Sequence, residues 1–247
     1  MLPTINLGPL VIPSASLVYI LGIWLALVAV EKAAMRLELP VSWTYNVATI
    51  GLAGALIGAR LVFVAAHWSA FRQNLLGLIW PLTSGFNLWA GLLVGFWAAF
   101  FYARAKRLSA GVTLDALAPG ILVASLAVSA ADFLAGPGYG TEAILPWSVS
   151  LFGILRHPVQ LYEILAAILA LLAWWAYRKR AEFGGQLFLV ATAVFSAGRL
   201  LVEAYRANAA LTPGGYRIVQ IVALAALLAA MLLLMRNATV LETETSG

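Results

Sequence analysis

The run "IVQIVALAALLAAMLLLM", residues 218–235, is long and apolar enough to cross a lipid bilayer. A helix needs about 20 such residues to span about 30 Å of hydrocarbon. A water-soluble domain carries about a quarter charged residues. This chain of 247 residues has only 10% charged residues and is 63% hydrophobic. The sequence therefore predicts an integral membrane protein.

Similar apolar runs recur along the whole chain, with little sequence between them. They predict an all-α fold, a polytopic membrane bundle of about seven transmembrane helices in a single domain, residues 1–247. No Lys or Arg precedes the first run, so we expect it to be retained and not removed as a signal peptide. The spans lie near residues 10–30, 44–66, 85–103, 114–135, 160–177, 185–204 and 217–235.

Basic residues concentrate in the loops after the first, third, fifth and seventh spans. The positive-inside rule makes these loops cytoplasmic. We therefore expect the N-terminus outside and the C-terminus in the cytoplasm. The cations are scattered and form no patch interleaved with aromatic residues, so no nucleic-acid partner is expected.

The chain has no cysteine and only two histidines. It therefore has no disulfide, no thiolate metal site and no thiol nucleophile of its own. Two isolated histidines without paired ligand spacing suggest no metal centre. We expect neither a metal nor a cofactor.

Four ionisable residues fall inside predicted spans, namely Arg60, Asp132, Arg199 and Glu203. Each costs several kcal/mol in lipid unless it is paired or faces a wet cavity. In the predicted orientation all four lie towards the outer side. At 100° per residue, Arg199, Glu203 and Arg206 lie within about 60° of one another on one helical stripe, so we expect them to face a common partner.

The run "RHPVQLYE", residues 156–163, begins the fifth span at the same outer level. Pro158 suits the first helical turn, which leaves Arg156 and His157 at the membrane surface. We expect this run to form one wall of an outward-facing polar pocket. Guanidinium groups match phosphate oxygens in bidentate geometry, so an anionic phospholipid head group fits. The glycine-rich run "GPGYG", residues 136–140, is expected to cover the pocket or to let a ligand approach the backbone closely.

Each of these features also has a purely structural interpretation. Arg199 and Glu203 can neutralise each other as an i,i+4 pair. Arg60 can extend to the outer head groups, and Asp132 can form a hydrogen bond at a helix end. The "GPGYG" run can be a plain turn, and "RHPVQLYE" a polar helix start.

Eight sequence pieces, in their order and separation, resemble the bacterial prolipoprotein diacylglyceryl transferases over nearly the whole chain. The pieces are "LIGARLVFV" (56–64), "GLLVG" (91–95), "ARAKR" (103–107), "DALAPG" (115–120), "YG" (139–140), "LPW" (145–147), "RHPVQLYE" (156–163) and "GRLLVEAYR" (198–206). The last two of these pieces are the most specific.

The resemblance implies a seven-span inner-membrane enzyme with an outward-facing site. Such enzymes move a diacylglyceryl group from phosphatidylglycerol to the lipobox cysteine thiol of a prolipoprotein. The implied lipid-binding residues are Arg60, Gly140, Arg156, Gln160, Tyr162, Glu163 and Arg206. The candidate catalytic residues are Arg199, Glu203, Asp132 and His157, the last two as a rearranged acid–base set.

The chain departs from the family pattern at several catalytic positions. Trp89 stands where the family has a histidine. Ala15 and Phe195 stand where the family has tyrosines. In the fourth span and the following turn, four further residues differ. These are Ser129 for arginine, Asp132 for asparagine, Ala135 for a second asparagine and Pro137 for glutamate.

Three hypotheses follow for the function. The first is diacylglyceryl transfer, and the second is a diverged paralogue that binds anionic phospholipid or lipoprotein without catalysis. The third is a small transporter or ion pathway. It is disfavoured because the polar residues are confined to the outer half and no proton relay crosses the midplane.

Overall fold

The computed structural model describes residues 4–7, 10–72, 85–151 and 153–245. Seven helices in these ranges are long and apolar enough to cross a membrane. The prediction of an all-α, seven-span membrane protein is confirmed, whereas the orientation of the termini stays a prediction. The helices are α1 (Ser14–Arg36), α2 (Val41–Ala66), α3 (Leu88–Ala105), α4 (Ala110–Ala135), α5 (Val159–Tyr177), α6 (Gln186–Glu203) and α7 (Ile218–Thr245).

Short elements occupy several of the connections. Strand β1 (Thr4–Leu7) pairs antiparallel with β2 (Leu10–Pro13), so α1 begins at Ser14 and not at the predicted residue 10. A single helical turn, Trp68–Phe71, follows α2. Strand β3 (Val149–Leu151) pairs antiparallel with β4 (Ile154–Arg156), directly before α5. The third span begins later than predicted because Asn87 caps α3, its side chain accepting a hydrogen bond from the Ala90 N–H at 3.0 Å.

The chain folds into two compact units, Met1–Ala33 with Gly111–Gly247, and Ala34–Ala110. The single domain expected from the sequence remains a prediction. Large apolar side chains in the spans are exposed on the protein surface, among them Leu61 (63%), Phe96 (63%) and Leu232 (65%). Such exposure suits side chains that face lipid tails.

The Ala34–Ala110 unit is built on close packing of α2 against α3. A Cβ atom added at Gly91 would lie 2.8 Å from the Ala55 carbonyl oxygen, and one at Gly95 would lie 2.6 Å from the Gly51 carbonyl oxygen. Only glycine allows the two backbones to approach so closely, which is a common way for membrane helices to associate.

In the larger unit, α1 packs closely against α4. A Cβ at Gly22 would lie 2.1 Å from the Ala127 Cβ, and one at Gly120 would lie 2.4 Å from a Val30 methyl group. Helices α5, α6 and α7 pack in succession, α5 on α6 and α6 on α7.

A buried aspartate ties three helices together at one end of this unit. Asp115 is 4% exposed, and its carboxylate accepts hydrogen bonds from the Gly185 and Phe188 N–H groups, both at 2.7 Å. It therefore places a negative charge at the N-terminus of α6, where the helix dipole favours one. The Trp174 indole of α5 donates to the Asp115 carbonyl at 2.9 Å. The start of α4, the end of α5 and the start of α6 are thereby brought near one another.

We predict that Gly22→Ala lowers the free energy of unfolding by about 1–3 kcal/mol, because the new methyl group overpacks the α1–α4 contact. Thermal unfolding in detergent micelles measures the change. Adding Ala127→Gly should restore part of the loss, because the next Ala127 atom is 3.6 Å away. Gly214→Ala, with its nearest atoms at 3.4 Å, is the control. Equal midpoints for Gly22→Ala and Gly214→Ala would contradict the packing argument.

Candidate functional site

Glu163 connects three helices at the end of the larger unit opposite Asp115. Glu163 is buried, with 5% of its surface exposed. The Ser129 hydroxyl of α4 donates to its Oε2 at 2.9 Å. Arg199 Nη1 of α6 and Arg206 Nη2, just beyond α6, both donate to its Oε1. One carboxylate on α5 thus binds groups from both neighbouring helices.

Glu203 forms the second half of the same cluster. Its residue is fully buried, with 0% exposure. Its Oε2 accepts a hydrogen bond from Arg206 Nε at 3.0 Å and lies 3.6 Å from Arg199 Nη2. Glu163, Arg199, Glu203 and Arg206 thus form an ionic network of two carboxylates and two guanidinium groups. The i,i+4 pair of Arg199 and Glu203, which the structural interpretation of the sequence expected, is part of this ionic network.

The two kinds of charge differ in exposure. The carboxylate side chains are 6% and 1% exposed, whereas the Arg199 and Arg206 side chains are 20% and 14% exposed. The accessible edge of the ionic network is therefore cationic. An anion that reaches this edge meets guanidinium N–H groups before it meets carboxylate oxygens.

Three side chains hold the carbonyl groups of the 136–140 loop, the "GPGYG" run. Arg206 Nη1 donates to the Gly138 carbonyl at 3.1 Å, and Gln160 Nε2 donates to the Pro137 carbonyl at 2.9 Å. Arg156 Nη1, at the end of β4, donates to the carbonyl of residue 140 at 3.2 Å. The loop is therefore fixed to the same residues that form the site.

Glycine is required at two positions of this loop. Gly138 has a φ of +71°, and a Cβ there would lie 2.5 Å from Arg206 Nη1 and 3.9 Å from Asp132 Oδ2. A Cβ at Gly140 would lie 2.3 Å from the His157 carbonyl oxygen. The loop backbone therefore lies directly against Arg206 and the start of "RHPVQLYE".

Arg156 and His157 have different surroundings from the ionic network. The Arg156 guanidinium lies 4.9 Å from the centre of the Tyr139 ring. His157 Nδ1 lies 3.2 Å from the Tyr162 hydroxyl, and its ring centre lies 4.7 Å from that of Tyr205. The Trp147 indole also donates to the Tyr162 hydroxyl, at 2.8 Å. An acid–base set of His157 with Asp132 stays a prediction.

Asp132 is a third carboxylate at this end of the unit. It is partly buried near the end of α4, where Glu163 and Arg206 both act on it electrostatically. The Tyr19 hydroxyl of α1 interacts electrostatically with its carboxylate. Its backbone carbonyl accepts a hydrogen bond from the Gly136 N–H at 2.8 Å. The main chain of Asp132 is therefore hydrogen-bonded to the loop that follows α4, as the structural interpretation of a helix-end residue expects.

Arg60 and Trp89 belong to the Ala34–Ala110 unit. Arg60 Nη1 donates to the Gly85 carbonyl at 3.0 Å, and the guanidinium lies 5.3 Å and 5.7 Å from the Phe71 and Phe86 ring centres. Trp89 lies in the first turn of α3 with 77% exposure. The expected place of Arg60 in the pocket stays a prediction.

Most site residues expected from the sequence lie together at one end of the larger unit. Two further residues were not singled out as site residues, Tyr19 and Arg217, the latter donating to the Arg206 carbonyl at 2.8 Å. In the described ranges, no group of three or more His, Cys, Asp or Glu side chains is placed to hold a metal ion. The residues brought together are Asp132, Gly140, Arg156, His157, Gln160, Tyr162, Glu163, Arg199, Glu203 and Arg206.

Residues 3–236 match the family model described as "Prolipoprotein diacylglyceryl transferase". Curated relatives are named "Phosphatidylglycerol--prolipoprotein diacylglyceryl transferase". The Clostridioides difficile protein is 26% identical, with 82% of each chain covered. The Finegoldia magna protein is 27% identical, with 86% of each covered. The Mycobacterium leprae protein is 29% identical, with 86% of this chain and 73% of the relative covered.

We predict that Glu163→Gln lowers the free energy of unfolding by about 3 kcal/mol, because it leaves two partly buried guanidinium groups with one carboxylate between them. Thermal unfolding in detergent micelles measures the loss. Glu142→Gln changes an exposed glutamate of the same unit and is the matched control, expected to leave the midpoint unchanged. If the two variants unfold at the same temperature, the ionic network does not stabilise this end of the unit.

Proposed function

Because the chain belongs to the prolipoprotein diacylglyceryl transferase family, we propose that it transfers a diacylglyceryl group from phosphatidylglycerol to the lipobox cysteine thiol of a prolipoprotein. The family resemblance of its sequence motifs is confirmed. The observation that carries the proposal is the cationic edge of the ionic network, built from residues of the two most specific motifs.

The reaction makes one bond and breaks one. The cysteine sulfur attacks the glycerol carbon that carries the phosphate ester, and a carbon–sulfur bond forms. The carbon–oxygen bond to phosphate breaks, and glycerol phosphate leaves with the electron pair. The thiol proton passes to a base. The protein must therefore stabilise the leaving phosphate and favour the thiolate, because an unperturbed thiol has a pKa of about 8.5.

We assign the phosphate to Arg199. Its guanidinium is the most exposed group of the ionic network, and its planar fork matches two phosphate oxygens. Glu163 and Glu203 hold it from the buried side, so its orientation is set before the lipid binds. Preorganised donors of this kind stabilise charge that develops in the transition state.

We assign the base to Asp132. It is the third carboxylate at this end of the unit. It is not one of the two carboxylates that pair with Arg199 and Arg206 in the ionic network. A carboxylate can accept the thiol proton if it lies within hydrogen-bonding reach of the sulfur. His157 is the other candidate for this role, and its contacts with Tyr162 and Tyr205 favour a part in positioning the loops.

The remaining site residues are proposed to shape the lipid pocket. Arg206, Gln160 and Arg156 hold the 136–140 loop over the ionic network. Tyr162 supports the loop that contains Trp147. Arg60 is proposed to bind lipid, as the sequence suggests.

The proposed setting is a bacterial inner membrane with the site facing outward. The uneven distribution of Lys and Arg between alternate loops supports this orientation. The proposed partners are phosphatidylglycerol, or a similar anionic phospholipid, and a prolipoprotein with a lipobox cysteine.

A second candidate function is binding of anionic phospholipid or lipoprotein without catalysis. Ser129 favours it, because its hydroxyl is committed to Glu163 and supplies no cation. Complementation of a strain depleted of its own transferase separates the two functions. Growth rescue by the wild-type chain supports transfer, and failure at good expression supports binding alone.

We predict that Arg199→Lys lowers kcat about 100- to 1,000-fold, because lysine keeps the charge but loses the bidentate fork. Transfer of labelled lipid from phosphatidylglycerol to a lipobox peptide measures it. Arg180→Lys, at an exposed position beyond the opposite end of α5, is the control and should retain full activity. Activity of Arg199→Lys within threefold of the wild type would remove Arg199 from the phosphate site.

We predict that Asp132→Asn lowers kcat about 100- to 10,000-fold at neutral pH, because the amide cannot accept the thiol proton. The loss should diminish as the pH rises past the thiol pKa of about 8.5, where the thiolate forms without a base. The same transfer assay over a pH series measures this. An asparagine variant as active as the wild type at neutral pH would assign proton removal to another group.

A further inference from the structure

We propose that Tyr19 is a positioning residue for the transfer reaction, and that its hydroxyl keeps the Asp132 carboxylate out of the ionic network. The inference rests on the proposed function, because that function makes Asp132 the base. Tyr19 was not a candidate from the sequence, since an uncharged residue in a span gives no sign of a buried charge.

The contact between α1 and α4 brings Tyr19 to Asp132. Tyr19, Gly22, Ala26 and Val30 are spaced by three or four residues and so form one stripe of α1. The middle of this stripe lies against Ala127, and its later residues lie against Gly120. The two helices therefore run antiparallel, and the early part of α1 faces the late part of α4.

This register brings the Tyr19 hydroxyl to the level of the Asp132 carboxylate, and the two groups interact electrostatically. A hydrogen bond between the two side chains is part of the proposal. A tyrosine hydroxyl donates one hydrogen bond, and an ionised carboxylate only accepts. The bond therefore occupies one acceptor site of Asp132 and leaves the others for an incoming group. Tyr19 is 40% exposed, so this pair borders the accessible side of the unit.

Arg206 is the competing partner for Asp132. A Cβ atom added at Gly138 would lie 2.5 Å from Arg206 Nη1 and 3.9 Å from Asp132 Oδ2, so both groups border the same loop residue. Arg206 attracts the Asp132 carboxylate, and Glu163 repels it. Without the tyrosine hydroxyl, Asp132 would turn towards Arg206 and join the ionic network as a third carboxylate. It would then no longer face the thiol.

The test is Tyr19→Phe in the lipid-transfer assay, with kcat and KM measured separately. We expect kcat to fall about 10- to 100-fold, the value of one hydrogen bond to a charged group, with KM unchanged. Tyr177→Phe is the matched control, because Tyr177 is 43% exposed at the opposite end of α5. It should leave both constants unchanged.

A double variant separates positioning from folding. In the Asp132→Asn background, Tyr19→Phe should cause no further loss, because the base is already absent. A loss that persists there would reflect damage to the fold and would overturn the proposal, as would full activity of Tyr19→Phe alone. A wild-type chain that transfers no lipid would overturn the proposed function as well, which distinguishes that failure from a failure of Tyr19 alone.

Discussion

The pairing of Glu163 and Glu203 with Arg199 and Arg206 is the interaction on which this end of the protein depends. A fully buried carboxylate such as Glu203 is tolerated only where cations and hydrogen bonds replace its water. Meeting that requirement draws groups from α5 and α6 to one place, and Ser129 adds α4. The loop carbonyls then find donors among the same side chains. The geometry of the site is thus a consequence of charge burial.

Asp115 solves the same problem at the other end of these helices, with backbone N–H groups in place of arginines. The chain anchors α4, α5 and α6 at one end through this single acid and at the other end through the ionic network. Two polar anchors suit a membrane protein, since lipid tails supply little hydrophobic force between helices. The apolar middle of each helix is left free to face lipid.

Much of this arrangement follows from the sequence, and the exceptions have physical causes. The seven spans follow from the lengths of the apolar runs, and the stripe of Arg199, Glu203 and Arg206 follows from the helical period. Their union with Glu163 depends on how α5 packs on α6, which no local pattern contains. The apolar run 10–13 forms a strand, because composition alone does not distinguish it from a helix start. The position of Tyr19 beside Asp132 likewise depends on an interhelical contact, between α1 and α4, that no local pattern contains.

The proposed transfer also explains why Arg199 is shared between two glutamates. A free guanidinium would bind phosphate tightly before and after reaction, which lowers KM without raising kcat. Compensation by Glu163 and Glu203 weakens the hold on the ground-state phosphodiester, whose single charge is spread over two oxygens. The leaving phosphate gains charge as the carbon–oxygen bond breaks, and the same N–H donors then interact more strongly with it. Because a third carboxylate paired to Arg206 would compensate the network further, a separate partner for Asp132 preserves both the base and the cationic edge.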